Sequence, residues 1–326
     1  MPALLEIENL AVDYLTPDRV VRAVDSVSFD VRPGEIVGLA GESGCGKTSA
    51  AHAILRLLRP PAEISEGQIL FEGRNILDMK DEELRSFRWR NVSIVFQSAM
   101  NSLNPVITVA SQFLDTYQAH EKISKKDAME RAAELMRLVG IDPSRLNGYA
   151  HELSGGMRQR VVIALALSLN PELIIMDEPT TALDVVVQRD ILQEIEELQK
   201  RLNFAVLFIT HDLSLLVEFS NRIAIMYAGR IAEFASAQDL FLHPEHPYTV
   251  GLMQSFPSLV GEKKPLRGIP GSPPDLGSPP SGCRFNPRCE KVMDICGRVS
   301  PPLLPSAPDH LTACHLYSFS VGRRAS

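Results

Sequence analysis

The sequence has no long hydrophobic run: the longest, Val161 to Leu169, spans about nine residues, against roughly 20 for a helix that crosses a bilayer. The chain is therefore expected to cross no membrane by itself. It also lacks a run of Lys and Arg. The 33 Lys+Arg stand against 40 Asp+Glu, for a formal net charge of −7 and a pI near 5.7, which disfavours a nucleic-acid binder that must neutralise phosphates. The start, MPALLEIENL, carries Glu6 and Glu8 where a signal peptide needs a basic segment and then an apolar one, so a cytoplasmic chain is expected. There is no internal repeat, and no low-complexity tract beyond a proline-rich segment. What remains is an ordinary globular balance, 45% hydrophobic and 22% charged over 326 residues, enough for about two units with a sizeable core.

Of the 23 prolines, 12 fall between Pro257 and Pro308, and this change of composition marks a boundary near residue 257. Before it, three short apolar runs read as buried strands: Ile36 to Ala40, Leu173 to Met176 and Val206 to Ile209. Helical periods lie between them. Ile191, Leu192, Ile195, Leu198 and Leu202 form one apolar stripe opposite Glu194, Glu197 and Lys200. Residues 124–139 give a second helix, with Ser124 as N-cap, Asp127 three residues on and Gly140 as the stop, inside a mostly helical insert at about 98–155. Strands alternating with helices indicate a parallel α/β sheet.

The segment GESGCGKTS, Gly41 to Ser49, fits G-x-x-x-x-G-K-[ST] between a strand-like run and a helix-like stretch. Gly41, Gly44 and Gly46 let the backbone curl so that N–H groups, including those of Glu42, Ser43 and Cys45, point at phosphate oxygens, and the helix N-terminus adds positive potential. Lys47 would reach the β and γ phosphates and Thr48 would ligate Mg2+. In LIIMDEP, four apolar residues lead to Asp177 and Glu178 at the carboxyl edge of a strand, where open α/β sheets bind ligands. Asp177 is placed to hold Mg2+ through its water shell and Glu178 to polarise an attacking water.

With ELSGGMRQR at Glu152 to Arg160, the sequence resembles the ATP-binding cassette (ABC) ATPases, whose LSGGQ signature stands here as Leu153, Ser154, Gly155, Gly156 and Met157. These residues would open the helix that continues through VVIALALSL, a second anion-binding helix end. Gln97 after IVF (the Q-loop), TALD at Thr181 to Asp184 (the D-loop) and His211 after FIT (the switch histidine) follow in the family's order. The resemblance implies a RecA-like parallel core sheet with an antiparallel β subdomain and a helical subdomain. It also implies that the signature caps the γ-phosphate of ATP held by a second subunit, that Gln97 senses Mg2+ and the attacking water, that Asp184 contacts the opposite subunit and that His211 bonds the γ-phosphate. The aromatic that stacks on adenine would be Tyr14, and Ser49 would complete the loop.

LSGGMRQR, FQSAMNSLNP and HPEHPYT are further similar to the oligopeptide/dipeptide importer ATPases. That resemblance implies a nucleotide-binding domain at 1–256 and an importer-type C-terminal extension at 257–326. It implies an ATPase driving uptake of short peptides or a related solute, with oligosaccharides or metal complexes as the other cargo. It further implies a second ABC ATPase as partner in a heterodimer, two transmembrane permease subunits docked near Phe96 to Pro105, an extracytoplasmic solute-binding protein, and a peripheral location on the cytoplasmic face of the membrane. A non-transport ABC ATPase would show two cassettes or a long coiled-coil insert, and neither is present. His246-Pro247 is expected to open a helix.

Four of the five cysteines, Cys283, Cys289, Cys296 and Cys314, lie in the last 44 residues. A cytoplasmic ATP site disfavours disulfides, and the tight C-x2-4-C knuckles usual for zinc are missing. Iron-sulfur clusters tolerate varied spacing, and the pattern resembles the tail of the peptide-importer ATPases, where a [4Fe-4S] cluster is one reading. Zinc and unmetallated packing thiols are the others.

Overall fold

The computed structural model describes residues 2–97, 102–180, 184–255 and 268–318. In chain order these form β1 (Leu5–Leu15), β2 (Val20–Val31), β3 (Ile36–Ala40), α1 (Lys47–Ile54), β4 (Ala62–Phe71), β5 (Arg74–Asn75), α2 (Asp81–Arg90), β6 (Val92–Val95), α3 (Val109–His120), α4 (Lys125–Leu138) and α5 (Gly155–Ala166). They continue with β7 (Leu173–Asp177), α6 (Val185–Leu202), β8 (Ala205–Thr210), α7 (Leu213–Phe219), β9 (Arg222–Tyr227), β10 (Arg230–Ser236), α8 (Ala237–Leu242), α9 (Pro247–Gln254), β11 (Leu304–Ala307), β12 (His310–Thr312) and α10 (His315–Ser318). The chain divides into two units, one of Met1–Val31, Ile36–Leu77 and Ile209–Ser326, the other of Arg32–Glu35 and Asp78–Phe208.

In the first unit an antiparallel sheet runs β2-β1-β4-β5, and a second layer of strands runs β11-β12-β10-β9-β3, with β3 and β9 parallel and the rest antiparallel. All five residues of β3 are buried, as a strand covered on both faces requires. Gly38 lets α7 approach β3: a Cβ there would stand 2.8 Å from Leu216. The long strands β1 and β2 were not among the three apolar runs. Register shifts along β1, between Ile7 and Leu10, Leu10 and Val12, and Val12 and Asp13, break the alternation that would have exposed it.

In the second unit β8, β7 and β6 lie in that order, with β6 and β7 parallel from Val92↔Leu173 to Val95↔Met176. Helix α4 begins where its cap predicts: the Ser124 side chain accepts from Asp127 N–H. Along α6, Ile191, Leu192, Ile195 and Leu198 are buried. Leu202 departs from the expected stripe, being 40% exposed in the last turn. Arg160 of α5 forms an ion pair with Glu194 of α6, whose carboxyl is pushed up to about 7 by burial, against the pull of that arginine.

The tail is no separate appendage of loops. Its hairpin joins the first unit's sheet through Glu233↔Thr312 and Phe234↔Leu311. Glu233, wholly buried on β10, accepts from the N–H groups of Glu245 and His246 and bonds His310 Nε2 at 2.7 Å. Pro247 does open α9, with the His246 ring as its cap, Nδ1 accepting from Tyr248 N–H at 3.0 Å. The boundary near 257 lies outside the described residues. Among the described residues, no helix is long and apolar enough to cross a membrane.

Candidate active site

The glycine loop sits between β3 and α1 in the first unit. Its path depends on two glycines. Gly41 has φ 153° and a Cβ there would fall 2.1 Å from Met226 O, while Gly46, at φ 107°, would meet Ala23 O at 2.2 Å, so any side chain would displace the loop from its seat. The curl closes on its own lysine: Lys47 Nζ donates to Gly41 O at 2.8 Å and Glu42 O at 3.1 Å. Lys47 is buried, whereas Ser43, Gly44 and Thr48 are exposed along the rim. This leaves a cradle of backbone at a helix N-terminus, suited to the oxygens of a polyphosphate. Cys45 is buried and burial pushes its thiol up, against the pull of Lys47, so it is no nucleophile at neutral pH. The Tyr14 hydroxyl lies 3.0 Å from Ser49 Oγ, which ties β1, an inner strand of its sheet, to the first turn of α1.

In the second unit β7 ends on Asp177, 1% exposed, and the next residue is the half-buried Glu178. Glu178 holds a left-handed backbone, φ 47°, a conformation costing of order 1–3 kcal/mol outside glycine and concentrated at functional sites. Gln97, two residues beyond β6, donates from Nε2 to Glu178 Oε2 at 3.2 Å. Two of the sequence-predicted residues, 81 apart in the chain, are thus brought together at one strand edge. Ser154 caps α5, its side chain accepting from Met157 N–H at 3.3 Å. The LSGG segment therefore does open a helix, with Leu153 buried and Ser154 exposed. Asp184 has a duty the sequence reading did not assign: its carboxylate caps α6 by accepting from Val187 N–H at 3.0 Å. His211 is exposed at the end of β8. Thr181 to Leu183 of the D-loop and residues 98–101 after Gln97 lie outside the described residues.

The four tail cysteines line one small cavity, walled also by Phe285, Met293 and Leu316. No three of their sulfurs lie within 4.8 Å of one another. Burial pushes up the thiols of Cys283, Cys289 and Cys314, the last to about 11, and the neighbouring thiols of the set add to this.

Two contacts to the glycine loop had no sequence signal. Arg288, one residue before Cys289, grips the Glu42 carboxylate with both terminal nitrogens, at 2.7 and 3.0 Å. The Tyr248 hydroxyl accepts from Glu42 N–H at 3.0 Å, and Cys45 N–H donates to Glu42 O at 3.3 Å, so these two amides, expected from the sequence to face phosphate, are turned to protein partners instead. Residues 246 and 206 positions from Glu42 give no local pattern to read.

A lysine enclosed by its own glycine loop at the head of a buried parallel strand is the geometry of a P-loop nucleotide hydrolase, and the serine-capped LSGG helix narrows that class to the ATP-binding cassettes. Comparison with known proteins agrees. The ABC transporter family matches residues 24–181, and the oligopeptide/dipeptide transporter C-terminal region matches residues 232–296. The dipeptide transport ATP-binding protein DppD of Bacillus subtilis is 43% identical, over 97% of this chain and 95% of its own. The oligopeptide transport ATP-binding protein OppD of the same organism is 44% identical, over 94% and 87%. A solved dimeric bacterial ABC transporter cassette superposes with a TM-score of 0.64 at 28% identity, covering 72% of this chain and 98% of its own. The chain belongs to the ABC transporter ATP-binding proteins, in the group that carries the oligopeptide/dipeptide C-terminal region. It is a transport-coupled ATP hydrolase that uses ATP with Mg2+.

Proposed function

We propose that this chain is the ATP-hydrolysing subunit of an importer for short peptides, working at the cytoplasmic face of the membrane. The observation that carries the chemistry is the Gln97–Glu178 contact at the carboxyl edge of β7. Glu178 accepts a proton from the water that attacks the γ-phosphorus, and Gln97 orients that water. The bond from the γ-phosphorus to its bridging oxygen breaks, leaving ADP and inorganic phosphate. Lys47 and His211 would hold the γ-phosphate, and Thr48, Asp177 and Gln97 would hold Mg2+, which when bound would supply positive charge at the phosphate oxygens. Tyr14 supplies the adenine platform. Its hydroxyl contact to Ser49 supports that placement, because it fixes the ring beside the loop.

The chain acts in a pair, most simply with a second, different ABC ATPase. Ser154 to Met157 reach the partner's ATP, and Asp184 the partner's surface. Val185 and Val186, 77% and 71% exposed beside Asp184, support a contact there, since bare valines on a helix start are poorly placed in water. The segment Phe96 to Pro105 meets two permease subunits, which receive peptide from an extracytoplasmic solute-binding protein. Phe96, exposed, and Val106, at its far end and 77% exposed, support that surface. ATP-driven pairing then shifts the permease by binding one of its two states more tightly. The four cysteines hold a [4Fe-4S] cluster, which would brace the tail. The lining of one cavity by all four cysteines supports a shared ligand there, and their irregular sequence spacing suits a cluster better than the tight knuckles usual for zinc.

The test is ATP-dependent uptake of a labelled dipeptide by vesicles carrying the assembled transporter. The native chain drives uptake; Glu178→Gln keeps ATP binding and loses at least about 100-fold in turnover. Normal turnover in that variant would remove the general base, and ATP hydrolysis without peptide uptake would remove the cargo.

A further inference from the structure

Glu42 occupies a variable position of the glycine loop, yet each of its polar groups is engaged. Its N–H donates to Tyr248, its carbonyl accepts from Lys47 and its carboxylate takes the Arg288 fork. Two of these three partners lie beyond residue 240. Tyr248 is wholly buried on α9, its ring 4.6 Å from that of Tyr227 and 5.4 Å from that of Phe285. The Arg288 side chain is 6% exposed. It donates also to Pro270 O at 2.8 Å and to the Tyr227 hydroxyl at 3.3 Å, and its guanidinium lies near the faces of Tyr227 and Phe285. A planar fork held this way has little freedom to leave its carboxylate. Its neighbour Arg284, 9% exposed, bonds Asp25 and the Ala228 carbonyl, so the segment is pinned on both sides of Phe285.

We infer that Arg288 of the docked tail and Tyr248 of α9 are positioning residues for the phosphate loop, acting through Glu42, so that together they set ATP affinity at the chain's own P-loop. Two physical effects act together. The fork and the hydroxyl fix the backbone at the second residue of the loop, preorganising the amides that must face the phosphates. Arg288 also neutralises a carboxylate one residue from the start of a polyanion site, where an unpaired negative charge would repel the ligand in a partly buried setting. Neither residue needs to touch ATP. The inference rests on the glycine loop being the ATP site and does not depend on what the four cysteines hold.

The test measures ATP binding and steady-state hydrolysis on the full chain, with a fluorescent ATP analogue as the binding probe. Arg288→Met should raise Kd and KM for ATP about tenfold while kcat at saturating ATP changes less than about twofold, because the groups at the reacting phosphate are untouched. Arg288→Lys, which keeps the charge and loses the fork, should recover part of the affinity. The double variant Arg288→Met with Glu42→Gln should return Kd to within about threefold of the native value, since the orphaned charge is gone. Tyr248→Phe keeps the buried ring and should weaken binding in the same direction. An unchanged Kd in Arg288→Met overturns the proposal, as does an unchanged Kd in Arg288→Lys and Tyr248→Phe if Arg288→Met does not fold. Equal loss in Arg288→Met and in the double variant overturns the charge argument. A native chain that binds no ATP would instead overturn the site itself.

Discussion

His246 shows how much one buried side chain can commit a protein to a range of pH. It is enclosed on all sides, and burial pulls its pKa down from the ordinary 6.5 to about 4, the Glu233 carboxylate opposing. Its Nδ1 must also stay unprotonated to cap α9. The folded state therefore holds the neutral ring where the unfolded state takes up a proton, so the stability it contributes is complete above pH 6.5 and is lost as pH falls toward about 4. The full loss is on the order of 3 kcal/mol. His310 works in the opposite sense: burial lowers its pKa, but the Glu233 bond and the Glu245 charge outweigh it and leave it raised. Its contribution is present below pH 6.5 and fades as pH rises above that. Urea midpoints between pH 7 and 5 should fall less steeply for His246→Asn, which keeps a cap acceptor, than for the native chain; identical slopes would show that the ring is not the group responsible. The sequence places His246 at a helix start beside Pro247, but its enclosure comes from β10 and Phe285, which no local pattern reveals.

Elements that a short periodic or capping signal defines were legible in advance. The strand β3 matches its apolar run residue for residue, β7 and β8 extend theirs by one or two, and α4 starts at its serine cap. The glycine loop was legible because only glycine tolerates positions such as Gly41 and Gly46. The bulged strand β1 was not, and neither was the β11–β12 hairpin, whose strands of four and three residues are too short to display a period of two. The cysteine element was legible as a cluster but not as to its contents. With the thiols of Cys283, Cys289 and Cys314 pushed up by burial, any metal held by them must displace protons, so uptake should strengthen as pH rises. Anaerobically purified protein should carry about four iron and four sulfide per chain with a broad absorption band near 400 nm. One zinc in a colourless protein, or no metal at all, would remove the iron-sulfur assignment.

Over the whole molecule, the hardest feature to foresee was how the two ends of the chain meet inside one unit. Arg284 pairs with Asp25, 259 residues away, and Arg288 with Glu42, 246 away. Such pairings follow from topology, and a linear reading carries no information about them. The hairpin on β10 has one more consequence. A strand without a neighbour offers a row of bare amides and carbonyls to other chains, and β10 has β12 on that side, with Pro305 in the outermost strand. The tail thus serves as the sheet's guard against self-association. A chain ended after residue 256 should elute as aggregates in size-exclusion chromatography at concentrations where the native chain does not. A clean monomer from that truncation would show that the edge protects itself.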